Sequence, residues 1–143
     1  MFDPSREQAR DFLFETWRKV RAGEALSGME SLALEAFQAH PEYHAVLEAP
    51  ERNREREYFP ELGETNPFLH LSLHLALEEQ LSIDQPRGIV ARFAALVVRH
   101  GERHAALHEA IECLAEMIWQ AQRARAAPDG GAYLDCLEAR ARR

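Results

Sequence analysis

All seven histidines of this chain fall on one lattice. The nine-residue pattern His-x3-His-x3-Glu occurs three times, as HPEYHAVLE (40–48), HLSLHLALE (70–78) and HAALHEAIE (104–112), and His100 extends the last by one more step of four. On an α-helix, residues four apart lie one turn above each other on the same face. Each repeat therefore presents two imidazoles and a carboxylate in a row, a mixed donor set that suits a transition-metal ion better than calcium or magnesium, which prefer all-oxygen cages.

The neighbours of each row decide whether it is buried. With Leu73 set at zero on a helical wheel, Leu77 lies near 40°, His70 near 60°, Leu81 near 80°, His74 near 100°, Glu78 near 140° and Leu71 near 160°, at about 100° per residue. Leucines thus flank the histidines on both sides, and Phe68, Leu69 and Leu75 make this helix apolar almost all round, which predicts a central position. Buried imidazoles and a buried carboxylate are costly unless they are paired, and a metal ion satisfies them together. In the third repeat His104 lies near 60°, His108 near 100° and Glu112 near 140° from Leu107, so the row leaves the apolar face toward solvent, with Ala115 and Trp119 on its side to widen the buried zone. In the first repeat Pro41 pushes His40 out of helical conformation, so that His40 is at best an N-cap and His44 is the imidazole the segment offers.

Helical periodicity and punctuation run almost throughout. The first helix is expected to start at Asp3-Pro4 and to run through Phe12, Trp17 and Val20 to Gly23. The second opens with the capping box Ser27-x-x-Glu30 and runs to about Ala39, and a short third follows from Pro41 to about Leu47. A charged, twice proline-interrupted connection fills 49–65. Asn66-Pro67 restarts a helix that reaches Ile83, where Asp84-Gln85-Pro86 ends it. Further helices are expected from about Arg87 to Arg99, Glu102 to Arg125 and Ala132 to Arg140, separated by Gly101 and by Pro128-Asp129-Gly130-Gly131. The fold class expected is all-α: a single domain over 1–143, a helical bundle of about six to seven helices around a four-helix-like core.

Composition narrows the function classes. A chain of 143 residues with 46% hydrophobic and 29% charged residues is ordinary for a globular domain, and a net charge of -7 argues against nucleic acid as the main partner. No stretch approaches 18 uncharged apolar residues and the N-terminus lacks the apolar core of a signal peptide, so a cytoplasmic protein with no membrane partner is expected. Cys113 and Cys136, 23 residues apart, form no CxxC motif and are expected as reduced thiols packed in helices. No nucleophile elbow or phosphate-binding glycine loop is present. HEAIE at 108–112 has Glu where a zinc-protease HExxH motif needs its second histidine.

The helix-borne His-x3-His and His-x3-Glu spacing is similar to that of hemerythrin-like four-helix bundles and of DinB-like bundles, which would imply two bridged irons or a single metal respectively. Over nearly its whole length the chain resembles a bacterial family catalogued as domain of unknown function 1841, through MFDPSREQAR, HPEYH, NPFLHLSLHLALEEQLSIDQP and HEAIECLAEMIWQAQR. That resemblance implies one intact domain in a bacterial cytoplasm and no particular activity. The residues themselves point to a bundle binding one or two transition-metal ions, iron or zinc foremost. His70, His74 and Glu78 form one arm, His104, His108 and Glu112 the other, and His44 is a fifth imidazole. An open coordination position would make the protein oxygen-binding, redox or hydrolytic. The alternative is a helical interaction or scaffold protein with structural histidines and no metal. Metal identity, small-molecule ligand, oligomeric state and enzymatic character are left open by the sequence.

Overall fold

The computed structural model describes residues 5–143. The described residues are all-α, with eight α-helices, two short 3-10 turns and no strand. The chain divides into two compact units, 1–75 and 76–143.

In the first unit α1 (Arg6–Ala22) is capped by Ser5, whose hydroxyl accepts from the Gln8 N–H while the Gln8 side chain accepts from the Ser5 N–H. This reciprocal box satisfies two otherwise orphaned donors. The expected start at Asp3-Pro4 lies outside the described residues. Ser27 and Glu30 form the expected box at the start of α2 (Gly28–Ala39). A 3-10 turn (Pro41–Tyr43) then leads into α3 (His44–Leu47), and α4 (Pro50–Asn53) and a second 3-10 turn (Pro60–Leu62) lie within the expected connection. The core is built from Leu13, Phe14 and Trp17 of α1, Ala33, Ala36 and Phe37 of α2, Leu47, and Phe68, Leu71 and Leu75 of α5 (Pro67–Ile83). Edge-on aromatic pairs, Phe14 with Phe68 at 5.4 Å and Trp17 with Phe37 at 5.7 Å, fix their relative angles. Arg10 is buried, and its Nη1 donates to the carbonyls of Asn53, Arg54 and Arg56 while the guanidinium lies 4.4 Å from the centre of the Phe68 ring. One cationic side chain thereby satisfies a connection that has little regular structure of its own.

Asn66 begins α5 by accepting from the N–H groups of Phe68 and Leu69, and the helix runs on past Leu75 into the second unit. There α6 (Ile89–His100), α7 (Arg103–Ala124) and α8 (Gly130–Ala141) pack on one another. Gly101, at φ 73°, closes α6 by donating to the Val97 carbonyl and turns the chain into α7. Asp84 also adopts a left-handed backbone, φ 52°, and its carboxylate accepts from the N–H groups of Gly88 and Val90 at the start of α6. Ile89, Phe93, Leu96, Leu107, Ile111, Leu114, Tyr133 and Leu137 are all buried.

Three expectations are corrected here. Trp119 is half exposed, with Arg123 over its ring at 5.1 Å, rather than a core residue widening the buried face of α7. Leu69 is exposed, so α5 is not apolar-buried all round. Cys113 and Cys136 are joined in a disulfide rather than standing apart as reduced thiols: α7 and α8 pack together and bring their Cα atoms to 5.9 Å, a separation that spacing along the chain does not reveal.

Candidate metal centre

His40 is placed by the proline that follows it. Pro41 disfavours a helical residue before it, and His40 ends α2 at φ -132°, ψ 65°. The ring folds back so that Nδ1 lies 2.9 Å from the Ala36 carbonyl, one turn earlier in α2. A carbonyl only accepts, so Nδ1 carries the proton, and in the neutral form of the ring Nε2 then presents a lone pair. Metal-ligating histidines are commonly oriented in this way, by one ring nitrogen on a backbone carbonyl.

That Nε2 meets the second histidine row. His70 and His74 occupy successive turns of α5, and the Nε2 of His70 lies 3.1 Å from the Nε2 of His40 and 3.1 Å from the Nε2 of His74. A ligand nitrogen from each of the three falls within 4.8 Å of the others. His40 and His74 are buried, and His70 is half-buried. Nitrogens bound tetrahedrally at about 2.0–2.1 Å from one ion are about 3.4 Å apart, so these imidazoles need little movement to share a cation. The phenol of Tyr43 covers one side, its ring stacked on His40 at 5.5 Å and 6.0 Å from His70. Burial and the Glu42 carboxylate hold the Tyr43 hydroxyl above its ordinary ionisation range, so it stands there as a neutral donor or acceptor.

Proton counting shows why this contact is unusual. With Nδ1 of His40 protonated, Nε2 of the neutral ring can only accept. If His70 Nε2 carries a proton it can donate linearly to His40 or to His74, not both. If it carries none, His40 and His70 oppose two lone pairs. Three neutral imidazoles thus satisfy at most one of the two short contacts with a linear hydrogen bond, whereas a central cation accepts all three lone pairs.

Of the other expected ligands, His44, Glu78 and Glu112 are engaged elsewhere. The Nε2 of His44 lies 2.7 Å from the Phe37 carbonyl, and its ring packs on Trp17 at 4.5 Å. Glu78, at the end of the α5 row, is buried and paired with Arg103 at 2.9 Å. On α7 the rings of His104 and His108 lie 4.2 Å apart, both half-buried, and Glu112 pairs with Arg140 at 2.9 Å. His100 bonds Glu109 at 2.6 Å. The first row therefore contributes through His40, not through the helical position His44. Its His-x3-His spacing was visible in the sequence. Leaving the helix at His40 is what lets the ring turn back on Ala36.

The sequence model of the family described as domain of unknown function (DUF1841) matches residues 5–139. The chain belongs to that family. No curated protein and no solved structure matches it. The likeness in spacing to hemerythrin-like and DinB-like bundles therefore has no relative behind it. No helix among the described residues is long and apolar enough to cross a membrane.

Proposed function

We propose that this DUF1841 protein binds one transition-metal ion through the Nε2 atoms of His40, His70 and His74. The observation that carries the reading is the convergence of the three nitrogens beside a ring whose Nδ1 is already committed to the Ala36 carbonyl. Zinc is the first choice and copper the second. The carboxylate expected in the row, Glu78, is neutralised by Arg103, which leaves an all-imidazole set rather than the histidine–carboxylate mixture that favours non-haem iron. A water in any position left open would be polarised by the ion, the basis for hydrolytic chemistry.

The test is metal analysis of protein purified without an affinity tag, followed by replacement of the native ion with cobalt(II). About one equivalent of zinc or copper, and a cobalt spectrum showing nitrogen ligands in fewer than six positions, is expected. Protein that carries no metal and takes up none from zinc or copper solutions would return the histidines to a structural role.

A further inference from the structure

The disulfide of the second unit lies at an opening. Cys113 of α7 is fully buried, whereas Cys136 of α8 is partly exposed, and both line a cleft of about 450 Å³ between the two helices. Its wall includes Met117, Ala121 and Tyr133, and Glu116 and Asp129 stand among the lining residues as the acidic groups. Both cysteines line the cleft, and Cys136 is the less buried of the two, so an approaching thiolate meets less cover at its end of the bond.

The docking of α8 rests on more than that bond. Tyr133 and Leu137 are almost wholly buried, and the Tyr133 hydroxyl donates to Gln80 at 2.7 Å. Arg140 pairs with Glu112, and Arg99 donates to the Arg143 carbonyl beyond the helix end. None of these contacts is made by the sulfurs.

We propose that Cys113 and Cys136 form a thiol–disulfide exchange site that takes a compact, uncharged dithiol through the α7–α8 cleft, with α8 docked in both redox forms. A thiolate of the dithiol attacks Sγ of Cys136. The disulfide breaks, and Cys113 leaves with the electron pair and takes a proton from water. The second thiolate of the reductant then attacks its own sulfur in the mixed disulfide, expelling Cys136 as a thiolate that is protonated in turn. Two protein thiols are formed and the dithiol is oxidised to its cyclic disulfide. The carboxylates of Glu116 and Asp129 disfavour an anionic thiol such as glutathione in the same cleft.

The experiment uses the full chain with its disulfide formed. Native protein is exposed to dithiothreitol or to glutathione at equal thiol concentration, quenched with N-ethylmaleimide and weighed, with circular dichroism in parallel. Two labelled cysteines without loss of helical signal are expected, and reduction about tenfold faster by dithiothreitol than by glutathione. The ratio should narrow in Glu116→Gln. Among the single-cysteine variants, Cys113→Ser, which keeps Cys136, should label much faster than Cys136→Ser, which keeps Cys113. A disulfide that yields only in denaturant, or whose reduction melts the helices, would make it a structural staple and overturn the proposal. Faster labelling of Cys113 than of Cys136 would overturn the assigned direction of attack.

Discussion

His40 is the residue on which the sequence reading and the geometry part most sharply, and it yields the most decisive perturbation of the metal site. A ligand that binds only the folded protein stabilises it by RT ln(1 + [L]/Kd), about 2.7 kcal/mol at a hundredfold excess over Kd. For a chain of this length about 1 kcal/mol moves Tm by about 3–4 °C, so zinc at that excess should raise it by about 8–11 °C. Loss of the groups that orient a ligating imidazole costs up to about 100-fold in metal affinity. Taking that as the least that removing the imidazole itself can cost, His40→Ala at the same zinc concentration brings [L]/Kd to about one. The stabilisation falls to about 0.4 kcal/mol and the rise in Tm to about 1–2 °C. His44→Ala is the matched control. It removes the bond to Phe37 and the packing on Trp17 and so lowers the metal-free Tm, yet it should keep the full zinc-induced rise. The assay is a thermal melt of untagged protein, stripped and then titrated with zinc. A rise in His40→Ala equal to that of the unmodified chain, or its loss in His44→Ala, would refute the argument from the Ala36 carbonyl.

Other outcomes follow from particular contacts. Arg103→Met leaves the buried Glu78 carboxylate without its cation and should cost about 1–2 kcal/mol by denaturant unfolding, with the half-exposed position of Arg103 keeping the loss modest. The Asp84 carboxyl is held below its ordinary range by the N–H groups of Val90 and Gly88. Its contribution is therefore complete above the ordinary carboxylate pKa and is lost as pH falls through the lowered value, and hydrogen exchange at Val90 should quicken there in the unmodified chain and at all pH values in Asp84→Ala. Trp17→Ala should cost about 3–5 kcal/mol and Trp119→Ala within about 0.5 kcal/mol, as unfolding titrations of the two variants would show. Because α5 is one continuous helix through the boundary between the units, we propose that 1–143 is a single domain. Calorimetry should then give one transition, and two resolved transitions would divide it.

Much of the helical scheme was legible because it is written in local signals. Ser27-x-x-Glu30, Asn66-Pro67 and Gly101 each act within one turn, and the helices begin or end within a few residues of them. What the sequence concealed depends on which helices become neighbours. The pairing of Cys113 with Cys136 requires α7 and α8 side by side, and the exposure of Trp119 depends on which sector of α7 is covered; neither has a signature in spacing. The placement of α4 inside the charged connection was likewise hidden, because Arg10, some forty residues earlier, supplies the donor that organises its end.

The candidate centre illustrates both cases at once. His70 and His74 converge because they share one helix, so their spacing was sufficient to find them. Glu78 continues the same stripe and is nevertheless withdrawn from it, since a buried carboxylate takes the nearest cation offered and Arg103 of α7 offers one. Helical spacing decides which groups lie on a face; which of them remain available for a ligand is decided by the charges that packing brings against that face. The row of two imidazoles and a carboxylate thereby becomes a pair of imidazoles and an ion pair, and the third nitrogen comes from His40, where the helix has already ended. An all-nitrogen set is neutral before it binds, so a divalent ion entering it brings two positive charges into a buried space with no carboxylate to offset them. A bound hydroxide or other anion relieves that charge. For this reason the ion proposed here should be found with a small anion or ionised water beside it, and competition of azide or thiocyanate for the cobalt-substituted site, read as a change in its visible spectrum, is the expected result.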